Sequence, residues 1–372
     1  MNPRLSMCRV LLIACAIGSS LLAAPAGADF GQTSTAPINI AARDAIDLSG
    51  EWRYIVDPLK TGVVRADSSR YSVFRDMAGP ENPIDFFEYN FDAAPRMMIP
   101  GDWNGQDASL TWYDGLVWFR RTLELAEVPD SRQLLHIGAA NYKALVYVNG
   151  EKVGEHEGGF TPFAFDVTDK LVTGRNSIVI GVDSEHGNNS VPTPVVDWKN
   201  YGGITRPVHL VSLPDTYVHD YFIRLGSDGR LIADVRLGGE EVDGHIVKVT
   251  VPELGVELRG ESDKSGNASI TIDSPDRLQR WSPASPTLYE VIVATDEDEV
   301  ADRIGFRTIS VEGSDILLNG DRIFLRGISI HEEAIGATPS RAINVERARE
   351  LLSIAKQDLN ANFVRLAHYP HT

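Results

Sequence analysis

Two short segments near the end of the 372-residue chain hold side chains that can donate, accept or transfer protons. His331 is followed directly by Glu332 and Glu333, and Arg365 and His368 lie further on. A neutral histidine can donate from one ring nitrogen while a neighbour fixes the other. Adjacent carboxylates on a strand point to opposite faces, so the two glutamates are badly placed to flank one bond. We expect them to be buried or rim carboxylates.

Thiol and metal chemistry have little support in this sequence. The only cysteines are Cys8 and Cys15, and both lie in an N-terminal apolar segment. Beyond that segment the chain can have no disulfide, thiolate metal site or cysteine nucleophile. His156, His186 and His209 lack metal-ligand spacing, so no metal ligand is predicted. The formal net charge of -17 repels phosphate backbones, which argues against nucleic-acid binding.

The N-terminus has the pattern of a secretory signal peptide. Arg4 and Arg9 precede an apolar run over residues 10–24, and small residues form a cleavage site after Ala28. We therefore predict a periplasmic or secreted protein with no membrane contact after cleavage. Two alternatives remain: a retained anchor, for which the run is short, and lipoprotein cleavage before Cys15.

Short β-rich runs separated by turn residues, typical of β-sandwiches, extend from about residue 45 to 310. Asn149-Gly150 between two such runs predicts a hairpin whose turn residues both have positive φ. A boundary is predicted at Pro214-Asp215. Beyond it come about seven strands in about 100 residues, the size of an immunoglobulin-like sandwich.

The pattern then changes to strand, helix and strand. Residues 323–330 predict one continuous apolar strand, residues 344–359 predict an amphipathic helix capped by Asn344, and residues 362–367 predict a second strand. This order predicts a βαβ unit with parallel strands. A lone unit leaves strand edges and apolar faces open, so removing residues 313–372 is expected to raise solubility.

A series of motifs in fixed order carries a family resemblance. Its main members are Leu48-Ser49-Gly50-Glu51-Trp52, Ile99-Pro100-Gly101-Asp102-Trp103, Gly158-Gly159-Phe160-Thr161, Asp197-Trp198-Lys199-Asn200-Tyr201-Gly202-Gly203, Trp281-Ser282-Pro283, Leu325-Arg326-Gly327, His331-Glu332 and Asn362-Phe363-Val364-Arg365-Leu366-Ala367-His368. Each motif alone is weak. Together they resemble glycoside hydrolase family 2, the β-galactosidase, β-glucuronidase and β-mannosidase group, from about residue 45 onward.

The resemblance implies a mostly β fold in three parts. These are a jelly-roll sugar-binding sandwich, an immunoglobulin-like sandwich and the first βαβ unit of an incomplete (β/α)8 TIM barrel. After a signal peptide at 1–28, the predicted domains are 29–214, 215–312 and 313–372. A barrel needs about 250 residues, so the last segment has room only for its start.

The resemblance also implies a retaining β-glycosidase that acts on a β-linked glycoside or oligosaccharide. One carboxylic acid protonates the leaving oxygen, and a second carboxylate about 5–5.5 Å away attacks the anomeric carbon. In the family both are glutamates on later barrel strands, and the acid/base usually follows an asparagine. No Asn-Glu pair occurs after residue 28. We predict that the catalytic glutamates are absent and that this chain alone is inactive.

Five substrate-binding residues follow from the resemblance: Asp197, His331, Glu332, Arg365 and His368. His331 and His368 are implied at the ends of barrel strands one and two, where each can donate to a sugar hydroxyl. Arg365 either supports the catalytic carboxylates by charge or forms an ion pair with one of the adjacent glutamates. Both interpretations stay open.

Asp197 matches the acidic residue that the sandwich sends into the family's sugar pocket. A carboxylate can accept two strong hydrogen bonds from adjacent hydroxyls. Asn200 and Arg206 are expected to organise the loop that presents it. Trp112 and Trp198 also have loop-like contexts and are candidates for stacking on a sugar.

The remaining tryptophans in fold motifs are predicted to lie in the core, because aromatic rings have large burial energies: Trp52, Trp103 and Trp118. No cofactor is predicted, although family resemblance allows Mg or Na ions. A homo-oligomer and a complementing barrel fragment are the protein partners left open. Two alternative functions stand beside the glycosidase: a non-catalytic carbohydrate-binding module and a non-functional gene fragment.

Overall fold

The computed structural model of the chain describes residues 34–60, 91–196, 198–334, 340–341 and 344–371. These residues form 26 strands and two α-helices, which confirms the predicted mostly β fold. Short 3-10 turns lie at Ile40–Ala42, Phe91–Ala93, Ala108–Leu110, Thr168–Lys170 and Pro252–Leu254. No helix of the described residues is long and apolar enough to cross a membrane. The predicted signal peptide lies outside the described residues.

The first sandwich pairs a five-stranded sheet with a six-stranded sheet. The former has the order β1 (Ser34–Thr35), β11 (Phe163–Asp166), β7 (Arg132–Ile137), β14 (Val208–Leu213) and β2 (Ala45–Asp47). The latter has the order β10 (Glu151–Glu157), β9 (Lys143–Val148), β12 (Gly174–Asp183), β6 (Leu116–Leu125), β3 (Gly50–Asp57) and β4 (Arg96–Ile99). A small third sheet joins β5 (Gly101–Asp102), β13 (Gly203–Ile204) and β8 (Ala140–Asn141).

Apolar side chains from both large sheets form the core of this sandwich. Trp52 and Trp103 are fully buried in it, and Trp118 is buried in an adjoining cluster. The three tryptophans are therefore core residues, as predicted. The turn between β9 and β10 has φ of 50° at Asn149 and 82° at Gly150, which confirms the predicted hairpin.

The second sandwich has seven strands, as expected for an immunoglobulin-like fold. One sheet has the order β15 (Thr216–Leu225), β16 (Arg230–Gly239) and β19 (Asn267–Asp273). The other has the order β18 (Val256–Glu261), β17 (Ile246–Val251), β20 (Tyr289–Ala294) and β21 (Glu299–Ile304). Alternate residues of both sheets, among them Val235, Val249 and Val291, meet in one buried cluster.

The last part of the chain contains the predicted parallel strand pair. An antiparallel sheet of β22 (Ile309–Glu312), β23 (Asp315–Leu318) and β24 (Asp321–Ile323) comes first. Strand β25 (Gly327–Ile330) then pairs in parallel with β26 (Phe363–Leu366), and helix α2 (Val345–Gln357) lies between them in sequence. A short helix α1 (Trp103–Gln106) belongs to the first sandwich. No closed barrel is formed within the described ranges.

The single strand predicted over residues 323–330 is wrong. The run is split, because β24 ends at Ile323 as the last strand of the antiparallel sheet and β25 begins at Gly327 in the parallel pair. The run is mostly apolar, with Arg326 and Ser329 as exceptions, and it does not show that the strand partner changes. The cap at Asn344 is confirmed, since its side chain accepts a hydrogen bond from the Arg347 backbone N–H at 2.9 Å. Helix α2 ends two residues earlier than expected.

Candidate functional site

A cleft of about 510 Å³ lies beside the parallel strand pair. Three parts of the chain line it: strand β25 with the residues that follow it, one face of helix α2, and a loop of the first sandwich. The lining residues are Trp198, Lys199, Ile328, Ser329, Ile330, His331, Glu333, Arg347, Leu351 and Ile354. A mostly apolar wall with a few polar groups is typical of a small-ligand site.

Trp198 and His331, which line the cleft, belong to an aromatic cluster that also contains His368. The ring centroid of Trp198 lies 5.8 Å from that of His331 and 5.1 Å from that of His368. The two histidine rings are 5.4 Å apart and nearly perpendicular, at 83°. A sandwich loop and the ends of both parallel strands therefore meet at one place.

His368 is held in one tautomer by Arg365. The guanidinium Nη2 lies 3.1 Å from Nδ1 of the ring. Arginine can only donate, so Nδ1 accepts, and we assign the proton of the neutral ring to Nε2. Nε2 is then available as a donor to a ligand. Within the described residues Arg365 forms no ion pair, so the interpretation that pairs it with Glu332 or Glu333 has no support there.

Among the described residues that line the cleft, Glu333 is the one carboxylate. The Tyr201 hydroxyl donates to its Oε1 at 2.5 Å. Burial, with the neighbouring Glu333 carboxylate, raises the pKa of Tyr201 well above its usual range. The tyrosine therefore remains a donor at physiological pH and orients the carboxylate.

Glu332 belongs to a buried ion pair. Its Oε2 lies 2.9 Å from Nη2 of Arg206, and the side chains are only 8% and 10% exposed. Arg206 also donates to the backbone carbonyls of Phe160 and Pro370. Glu332 and Glu333 lie beyond the end of β25, and their carboxylates have different partners. Arg206 thus connects the first sandwich to the ends of both parallel strands. Its expected role in organising the loop that presents Asp197 stays a prediction.

Asp102, which is completely buried, forms a second connection between the first sandwich and the last part of the chain. Its Oδ2 accepts from the Ser340 hydroxyl and the Arg341 backbone N–H, each at 2.8 Å. The Arg341 guanidinium lies 3.8 Å from the centre of the Tyr369 ring, which stacks on Phe160 at 4.3 Å. The Tyr369 hydroxyl lies 3.3 Å from Nδ1 of His331. Sequence reasoning missed the contacts of Asp102, because its partners Ser340 and Arg341 are more than two hundred residues away.

The predicted residue Asp197 lies outside the described residues. Its neighbour Asn200 donates to the Ser184 carbonyl at 2.9 Å and accepts from the Asn141 amide at 2.7 Å. These bonds fix the end of the loop that carries Trp198. The described part of the chain contains no group of three or more His, Cys, Asp or Glu that could hold a metal ion. The Mg or Na ion allowed by resemblance remains a prediction.

Comparison with family models gives two adjoining matches. The model described as "Glycosyl hydrolases family 2, sugar binding domain" matches residues 46–214. The model described as "Glycosyl hydrolases family 2" matches residues 216–307. Together they cover both sandwiches, which is well over half of the chain.

Curated relatives carry matching names. A beta-glucuronidase of Paenibacillus borealis is 29% identical over 90% of this chain and 57% of its own length. A putative beta-glucuronidase of Formosa agariphila is 30% identical over 73% of this chain and 35% of its own length. A beta-galactosidase of Thermoanaerobacter pseudethanolicus is 29% identical over 88% of this chain and 44% of its own length. The matched part thus spans between about a third and three fifths of these relatives.

Solved structures share the fold. The beta-glucuronidase of Bifidobacterium dentium, complexed with coumarin-3-O-glucuronide, superposes with a TM-score of 0.72 at 23% identity, over 91% of this chain and 60% of that chain. A beta-galacturonidase of Eisenbergiella tayi, bound to glycerol, superposes with a TM-score of 0.68 at 24% identity, over 91% of this chain and 55% of that chain. At these identities the likeness concerns architecture alone.

Proposed function

Because the chain belongs to family 2 of the glycosyl hydrolases, we propose that its cleft binds the non-reducing sugar of a β-linked glycoside. The observation that carries this proposal is the meeting of Trp198 with His331 and His368. The indole offers an apolar face to the sugar ring, and His368 Nε2 offers a donor to a hydroxyl. A sugar ring has apolar C–H faces and a hydroxyl edge. It therefore binds best where an apolar surface and a hydrogen-bond donor lie side by side.

Bond cleavage, in this proposal, needs groups that the described cleft does not supply. Retaining hydrolysis uses two carboxyl groups about 5–5.5 Å apart. Among the described lining residues only Glu333 is acidic, and the adjacent Glu332 is neutralised by Arg206. We therefore propose that this chain holds the sugar, and that a further segment or a complementing chain supplies the acid/base and nucleophile glutamates.

Calorimetric titration of the full chain with methyl β-D-glucuronide and methyl β-D-galactoside tests the binding proposal. We expect saturable binding of at least one sugar. His368→Ala is expected to weaken it about tenfold, the loss of one net hydrogen bond of about 1–1.5 kcal/mol. His245→Ala, in the second sandwich, is the matched control and is expected to leave the affinity unchanged. A folded chain that gives no heat with either sugar contradicts the proposal.

An activity assay tests the proposed lack of cleavage. The full chain is incubated with aryl β-galactoside, β-glucuronide and β-mannoside, and the released phenol is measured. We expect no turnover above that of buffer. Turnover that disappears in Glu333→Gln would show that the cleft contains a working carboxylate pair after all.

Export is proposed from the N-terminal sequence alone. Cleavage after Ala28 predicts a mature protein that begins at Asp29. The intact mass of the protein recovered from the periplasm or medium of an expressing bacterium tests this. A mass that includes residues 1–28 contradicts it.

A further inference from the structure

Trp112 is an exposed tryptophan close to the cleft. It follows the 3-10 turn at Ala108–Leu110 in the first sandwich, and 88% of its surface is accessible. Tryptophan carries a very large apolar surface and is highly buried on average. The ring is absent from the core clusters and does not line the cleft. Its position therefore needs another explanation.

Lys199 connects this tryptophan to the cleft. Its Nζ lies 5.2 Å from the centre of the Trp112 ring and 5.1 Å from the centre of the Tyr201 ring. Both distances are within the range of about 6 Å for cation–π attraction. Lys199 also lines the cleft, next to Trp198. The ammonium group is thus positioned by two aromatic rings at the side of the cleft nearest Trp112.

The charge of Lys199 is not neutralised by the described residues. None of their acidic side chains forms an ion pair with it, although the chain has a formal net charge of -17. The other cation that lines the cleft, Arg347, is paired with Glu350 at 2.7 Å. Among the described lining residues, Lys199 is therefore the cation free to bind an anion.

We propose that Trp112 and Lys199 form a second subsite, which binds the next sugar of an oligosaccharide and selects a uronic acid at that position. The inference rests on the proposed function, because a second sugar presupposes a first one in the cleft. The Trp112 ring provides the stacking surface, and the ammonium makes a charge-assisted hydrogen bond to the sugar carboxylate. Lysine is a flexible point charge, so it can meet a carboxylate without the fixed approach that arginine needs.

Two disaccharides test this subsite in the full chain. They share the non-reducing sugar selected by the titrations above, β-linked either to glucose or to glucuronic acid. We expect the acidic disaccharide to bind five- to tenfold more tightly at low salt, and this preference to shrink at high salt. In Lys199→Met the ratio of the two affinities is expected to fall to about one. Trp112→Ala is expected to weaken both disaccharides more than the methyl monoglycoside.

Lys264→Met, at an exposed position of the second sandwich, is the matched control and is expected to keep the wild-type preference. Equal affinities of the wild-type chain for the two disaccharides would overturn the inference while the monoglycoside still binds. A preference that persists in Lys199→Met would overturn it as well. If the monoglycoside itself does not bind, both the proposed function and this subsite are contradicted. If the monoglycoside binds and only the preference between disaccharides is missing, the subsite alone is contradicted.

Discussion

Glu332 and Glu333 are neighbours in sequence with different surroundings. Both follow the end of β25, and the structure has Glu333 in the cleft and Glu332 in a buried ion pair. The sequence could not identify Arg206 as the partner of Glu332. Ion pairs between residues 126 positions apart depend on tertiary packing and leave no local pattern.

Arg206→Met tests the importance of this ion pair. The change removes the Arg206 guanidinium from the buried Glu332 carboxylate, so we expect a loss of up to about 3–5 kcal/mol in the free energy of unfolding. Urea unfolding at pH 7 measures it. Glu51→Gln is the matched control, because the Arg96–Glu51 pair is more than half exposed and is expected to contribute at most about 1 kcal/mol. Equal, small losses in the two variants would contradict the assignment.

Because His136 is buried, we expect the stability of the first sandwich to fall in acid. Burial, with a minor contribution from the charge of His209, lowers the pKa of His136 from 6.5 to about 4. Between these values the unfolded chain binds a proton that the folded chain does not, so stability falls as the pH falls from about 6.5 to about 4. The full difference is about 3 kcal/mol.

The measurement is the free energy of unfolding at pH 7 and pH 4.5 for the wild-type chain and for His136→Gln. The variant is expected to lose less stability on acidification, because its side chain does not titrate. His245→Gln serves as the control and is expected to follow the wild type. Identical losses in wild type and His136→Gln would show that this histidine is not the sensitive group.

At the scale of elements, turns and helix caps could be predicted from local sequence patterns, whereas the pairing of strands was harder to predict. The Asn149-Gly150 turn and the cap at Asn344 are encoded within a few residues, and both were found where expected. The break between β24 and β25 was missed, because the mostly apolar run of residues 323–330 does not show which sheet each of its residues joins. The loop that carries Trp198 was recognised from its motif, while its attachment to Asn141 and Ser184 depends on the fold.

Gly202 lets this loop pack closely on the first sandwich. A Cβ at this position would lie 1.9 Å from Cζ2 of the buried Trp103. Gly202→Ala is therefore expected to lower stability by about 1–3 kcal/mol and to weaken glycoside binding, since Tyr201 next to it orients Glu333. Thermal unfolding and calorimetry measure the two effects. Gly187→Ala is the control, because the nearest atom there is 3.8 Å away. A variant that binds and melts like wild type would contradict this packing.

At the scale of the whole molecule, the two sandwiches have closed cores and the parallel pair does not. Large apolar side chains of the last part are left exposed, among them Phe324 at 75%, Leu359 at 57% and Leu366 at 52%. The contacts of this part with the first sandwich include the polar contacts of Arg206 and Asp102 and the stacking of Tyr369 on Phe160. The exposed apolar side chains of the last part favour association with another chain or segment.

Removal of residues 313–372 is therefore expected to raise solubility and to reduce self-association. Sedimentation velocity over a range of concentrations compares the full and shortened chains, and circular dichroism checks that the sandwiches remain folded. The double substitution Leu359→Lys and Leu366→Lys in the full chain is expected to act in the same direction. A shortened chain that stays folded but precipitates more readily would show that the last part protects the sandwiches.

The most direct test of the account is to locate the bound sugar. The chain has nine histidines, whose ring carbon resonances can be followed by NMR in protein labelled at histidine. Saturation with the methyl glycoside that binds is expected to shift His331 and His368, and to leave His136 and His245 in place. Binding that shifts other histidines while His331 and His368 stay unchanged would contradict the claim that the sandwich loop and the two parallel strands form the sugar site.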